Sequence, residues 1–180
     1  FFSLDKCMKD IYNEASLKIC NDIEKNKTGA IFNMLNILKN YLEKYFEENL
    51  NDDIYKSVID NLFISVSSIY PNNPSIISDW NSNEDLIECI IASCSLPFLG
   101  KSLFRNYRDS YCLDGCFLNN KPILYSELPT LFITPYLWRY IPISWFSISA
   151  DTEWSNKLFE MGYNDAIENK KYFDDFLKKR

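Results

Sequence analysis

Leu113-Asp114-Gly115-Cys116-Phe117-Leu118-Asn119 sets a carboxylate on a sharp turn after a short apolar run. The stretch Tyr111 to Leu113 predicts a strand that delivers Asp114 to its end. Gly115 then predicts a hard backbone turn that faces the carboxylate into a cleft. Taken alone, Asp114-Gly115 also reads as the turn that closes a hairpin. The chain has no histidine, so any hydrolysis it performs proceeds without an imidazole.

A chain of 180 residues with 47% hydrophobic and 16% aromatic residues is long and apolar enough for one folded domain with a sizeable core. A net charge of −6 and a pI near 4.8 speak against a nucleic-acid partner, which needs clustered Lys and Arg. The dense basic group Lys178-Lys179-Arg180 reads as the end of a helix. No apolar run is long enough to span a bilayer, and the start Phe1-Phe2 is neither a signal peptide nor an initiator methionine, so a longer parent chain is expected. The six cysteines, Cys7, Cys20, Cys89, Cys94, Cys112 and Cys116, are too few for a disulfide scaffold and read as reduced, mostly buried thiols. A four-thiolate zinc site from the Cys89/Cys94 and Cys112/Cys116 pairs is the sharper alternative, against which neither pair has knuckle spacing. Asn51-Asp52-Asp53 offers oxygen ligands but reads as a solvated helix start, so no metal is expected.

Apolar spacing predicts an amphipathic helix from Leu4 to about Lys25 and a second one after Gly29, through Phe46. A short helix through Ile59 follows, then a buried strand at 62–67, a turn at Pro71-Asn72-Asn73-Pro74, and a further strand from Ile76 to Trp80. Asn81-Ser82-Asn83 offers caps, with Glu84 and Asp85 in the first turn, for a helix carrying Leu86, Ile87, Ile90 and Ile91 that ends before Pro97. After Asp114, residues 131–135 read as one more core strand and Trp138 to Trp145 as an aromatic loop packed on the body or facing lipid. Helical segments broken at Gly162 close the chain.

Glu84-Asp85-Leu86-Ile87, then Ala92-Ser93-Cys94 with Pro97, then Asp114-Gly115 with Asn119 and Pro122, resemble in order and spacing the patatin-like phospholipases, and within them the adipose triglyceride lipase branch. The similarity covers most of the chain, from Leu4 to Phe176. It implies an α/β fold, a three-layer α/β/α sandwich with a mainly parallel central sheet, that hydrolyses carboxylic esters of lipids through a Ser-Asp dyad. Asp114 is then the general base in a D-G-G or D-G-A motif formed by Asp114, Gly115 and Cys116, supported by Asn119, Pro122, Ala92, Ser93 and Pro97. A dyad accounts for the missing histidine, because a carboxylate within hydrogen-bond reach takes the serine's proton. The resemblance implies a lipid substrate, contact with a membrane or lipid-droplet surface and no cofactor; no nucleic acid is expected, and the compartment stays open, with a place inside the cell, soluble or peripheral to a membrane or lipid droplet, expected.

The departures bear on the same point. The only glycines are Gly29, Gly100, Gly115 and Gly162, so the chain has neither a G-x-S-x-G elbow nor a Gly-rich oxyanion loop. The nucleophile is expected upstream of Phe1, by roughly one or two dozen residues, which makes residues 1–180 one partial domain that is inactive alone. Cys116 stands where the family prefers Gly or Ala. A lipid acyl-ester hydrolase is therefore expected, against a degenerate, non-catalytic lipid- or protein-binding patatin-like domain, or an unrelated interaction domain whose Asp-Gly is only a turn. Phospholipid, acylglycerol and lysolipid substrates stay open, since pocket shape selects among them.

Overall fold

The computed structural model describes residues 21, 25, 29–49, 53–70, 72–97, 102–124, 130–142 and 152–178. They fall into two units, Phe1–Pro122 and Ile123–Arg180. The first unit runs α1 (Gly29–Asn49), α2 (Ile54–Val58), β1 (Ile64–Tyr70), β2 (Asn72–Ile77), α3 (Asn83–Ser93), β3 (Arg105–Tyr107), β4 (Ser110–Asp114) and α4 (Cys116–Asn119). Of the helix expected at Leu4 to Lys25, only Asn21 and Lys25 are described, both helical. The helix after Gly29, the short helix before Ile59 and the capped helix before Pro97 are all present.

The four strands are ordered β2-β1-β4-β3, and each neighbouring pair is antiparallel. The α/β class holds, but a mainly parallel sheet is not what the described strands form. Short connections account for two of the three pairs: β1 ends at Tyr70 and β2 starts at Asn72, while Arg108 and Asp109 alone join β3 to β4. Parallel neighbours need a crossover of about a dozen residues or more. The strand expected at 62–67 is shifted to Ile64–Tyr70, and the Pro71–Pro74 stretch is largely strand, since β2 already includes Pro74 opposite Ser67. A proline is tolerated there because β2 is an edge strand, where one face of the backbone needs no ladder donor. The second strand ends at Ile77, short of Trp80, whose side chain instead plugs the core.

That core joins Ile64, Val66 and Cys112 of the sheet to Leu86, Cys89 and Ala92 of α3, with Trp80 and Tyr107. Ser82 caps α3 by accepting the Asp85 amide at 3.1 Å. Glu88, on the same helix, accepts from Lys39 of α1 at 2.5 Å and from Arg105 of β3 at 2.6 Å, tying three elements together. Asp85 ties the hairpin to the helix: its carboxylate accepts from Arg108 at 2.7 Å, from the Tyr107 hydroxyl at 3.0 Å and from the Asn81 amide at 3.0 Å. Burial pushes the Asp85 carboxyl up, but these donors outweigh it and hold it below its ordinary value.

In the second unit, 131–135 is not a strand. No described residue of that unit forms one, and a turn from the Leu137 amide to the Thr134 carbonyl (3.1 Å) bends the segment away from extended form. Trp138 packs edge-on against Tyr172 and Phe173, as expected of a loop laid on its body; the stretch beyond residue 142 lies outside the described residues. The break expected at Gly162 falls elsewhere. Helix α5 (Thr152–Glu168) runs through Gly162 and stops at Asn169, before α6 (Lys170–Leu177). Asn169 donates its side-chain amide (2.8 Å) and its backbone N–H (3.1 Å) to the Asp165 carbonyl, which closes the last turn of α5.

Two outcomes follow from this packing. Because the folded Asp85 carboxyl is held low, its stabilisation is complete above the unfolded value of about 3.9 and is lost as pH falls through the folded one. Asp85→Asn is therefore expected to lower stability by about 1–3 kcal/mol at neutral pH, with the gap to the parent narrowing as pH falls below about 3.9, read by urea unfolding across that range. A Cβ added at Gly162 meets nothing within 4 Å. Gly162→Ala is expected to stabilise α5 by about 0.5–1 kcal/mol, seen as a rise in thermal midpoint.

Candidate active site around Asp114

Asp114 is the last residue of β4, half-buried and paired with Val66 of the neighbouring strand. Directly opposed residues of an antiparallel pair share a face, so the carboxylate lies on the face that Val66 turns to α3. The chain passes from Asp114 through Gly115 straight into α4, so the hairpin-tip reading does not hold. The Asp114 amide donates to the Ser95 carbonyl at the end of α3, 2.9 Å away. The carboxylate folds back on its own turn, with Oδ1 accepting the Cys116 amide at 2.9 Å.

Gly115 is needed for a reason other than the one the sequence suggests. Its φ of −56° and ψ of −25° are open to any residue. What it lacks is room: a Cβ would sit 2.2 Å from the Ser65 carbonyl oxygen and 2.8 Å from the Ser65 hydroxyl. The turn is pressed onto β1, and the buried Ser67 fastens it there, donating to the Gly115 carbonyl (3.2 Å) and accepting the Leu118 amide (3.0 Å).

The remaining candidates divide. Cys116 is exposed at the first position of α4, so a side chain is accommodated where the family's is small. Although the residue is exposed, partial loss of water around the sulfur, and then the hydrogen bond to and charge of Asp114, push its thiol up to about 11. Burial likewise raises the Cys94 thiol, with the Asp114 charge adding to it. Both sulfurs stay protonated at neutral pH and neither is a thiolate nucleophile. Ser93 donates to the Ile90 carbonyl at 2.8 Å, a structural bond within its helix. Ala92 is fully buried under the sheet, and Pro97 lies part-buried just beyond the end of α3. Asn119 closes the turn of α4 through its amide on the Gly115 carbonyl at 3.0 Å, and Pro122 follows part-buried. Asp114, Gly115 and Cys116 thus come together with Cys94 and Ser95, whereas Asn119, the last residue of α4, and Pro122 beyond it lead away. Among the described residues no group of His, Cys, Asp or Glu could hold a metal ion, and Cys89, Cys94, Cys112 and Cys116 are free.

Sequence reasoning missed Ser67 and Ser95. The signal was in Ser65-Val66-Ser67-Ser68, hydroxyls inside an otherwise apolar strand, which call for partners once buried.

The family model for patatin-like phospholipases matches residues 3–126. The chain belongs to the patatin-like phospholipase family. Among its relatives are the 1-acylglycerol-3-phosphate O-acyltransferase of Mus musculus, 19% identical over 68% of this chain and 29% of the relative, and that of Homo sapiens, 19% identical over 71% and 27%. The omega-hydroxyceramide transacylase of Mus musculus is 23% identical over 70% of this chain and 26% of the relative. The chain spans less than a third of the length of these curated relatives. No solved structure matches it.

Since the Ser65 obstacle is backbone, Gly115→Ala is expected to cost about 1–3 kcal/mol in chemical unfolding, the opposite sign to Gly162→Ala.

Proposed function

We propose that this chain carries the general base of a lipid acyl-ester hydrolase or acyltransferase whose nucleophilic serine belongs to the same polypeptide upstream of Phe1. The observation that carries this reading is Asp114, half-buried at a strand end inside the family match and gripped by Ser95 and the Ser67-fastened turn. The serine hydroxyl gives its proton to Asp114 as its oxygen attacks the ester carbonyl. The tetrahedral intermediate collapses, the bond to the alcohol breaks, and Asp114 returns the proton to the leaving oxygen. The acyl-serine then passes its acyl group to water, giving the acid, or to a lipid hydroxyl, giving a new ester. The acyltransferase and transacylase names of the relatives support keeping both acceptors.

In the same reading the parallel strands and the three-layer sandwich belong to the complete domain, of which these residues are the later part. Tyr136 and Tyr140, exposed in the loop before residue 143, support contact with a membrane or lipid-droplet surface.

In the complete protein, Asp114→Asn is expected to reduce ester turnover about 10²–10⁴-fold without loss of fold, since the amide cannot accept the serine's proton. Turnover at the parental rate would remove Asp114 from the mechanism. A fluorophosphonate label is expected on an upstream serine and to survive Ser93→Ala, and the 180-residue chain alone is expected to be inactive. A complete polypeptide without a G-x-S-x-G would favour the non-catalytic binding domain.

A further inference from the structure

We infer that Ser67 is a positioning residue for Asp114, a role that rests on Asp114 being the base. Strand β1 carries three serines, and their hydroxyls are used differently. Those of Ser65 and Ser68 are buried without a hydrogen-bond partner among the described residues, whereas Ser67, only 1% exposed, makes two bonds with the same oxygen. Both bonds go to the turn that follows Asp114, one to the Gly115 carbonyl and one to the Leu118 amide. Between those anchors sits the Cys116 amide, which holds Asp114 Oδ1.

Ser67 therefore fixes the donor that aims the carboxylate without touching the carboxylate itself. Without its hydroxyl, the Gly115 carbonyl and the Leu118 amide each lose a partner, and a turn that has to press on the Ser65 backbone loses its fastening. The carboxylate is then free to rotate away from the serine it must deprotonate. Substrate contacts are untouched, so the loss falls on kcat and leaves KM in place.

The test uses the complete protein. Ser67→Ala is expected to lower kcat about ten- to a hundredfold, with KM within about twofold of the parent. Ser67→Thr, which keeps the hydroxyl, is expected to retain most of kcat, and Ser67→Val, nearly the same volume without it, is expected to fall with Ser67→Ala. Ser68→Ala removes an unbonded hydroxyl from the same strand and is expected to leave kcat unchanged. Each rate is referred to the folded fraction from circular dichroism, and the Thr and Val pair decides the matter if Ser67→Ala does not fold. Equal kcat for Thr and Val, or an unchanged kcat for Ser67→Ala, would overturn the role of Ser67. Parental turnover by Asp114→Asn would instead overturn the assignment of the base, so the two failures are distinguishable.

Discussion

Opposite Val66 in β1 stands Asp114 in β4, and the register of this one antiparallel pair decides what the carboxylate can reach. A slip of one residue would carry Asp114 to the other face and Cys112 out of the core. Three contacts oppose the slip: the Asp114 amide on Ser95, the Ser67 hydroxyl on the turn, and the lack of a side chain at Gly115 where Ser65 approaches. The pairing holds evenly from Val66 to Ser68 and becomes irregular only toward Tyr70, at the end away from the carboxylate.

The other end of β4 is held by charge. Arg108 and Asp109 join β3 to β4 with φ of 44° and 61°, the left-handed pair that suits a two-residue hairpin and for which glycine is the usual residue. Such residues cost about 1–2 kcal/mol each when they carry a side chain. Here the side chain is what the hairpin uses: Arg108 reaches Asp85 on the first turn of α3 and the Asp79 carbonyl, both at 2.7 Å. The helix that presents Ser95 to Asp114 and the strand that carries Asp114 are thus joined at both ends.

Much of this arrangement was legible in the chain. The cap at Ser82, the acidic first turn and the apolar spacing of α3 are local signals and appear as read. Asp114 at a strand end followed from the apolar run before it. The antiparallel pairing was not legible, because an apolar run of β-branched residues marks a strand without naming its partner. Pro74 looked like a turn because proline is excluded from central strands, and only the sheet order reveals that β2 is an edge. Residues 131–135 looked like a strand by composition, yet a turn from Thr134 to Leu137 bends them. Gly162 looked like a break, yet the helix absorbs it and ends where Asn169 offers its side chain. Ser67 was hidden because its partners lie 48 and 51 residues away.

That separation has a kinetic meaning. The β1–β2 and β3–β4 hairpins close over a few residues, whereas the bonds from Ser67 close a loop of 48 residues and add little until both hairpins exist. Formation of the turn behind Asp114 is therefore expected on the late, downhill side of the folding barrier, with a low φ-value at Ser67. Losing its bonds is expected to leave the rate of folding nearly unchanged and to speed unfolding, so Ser67 acts on how long the folded state persists and not on how fast it forms.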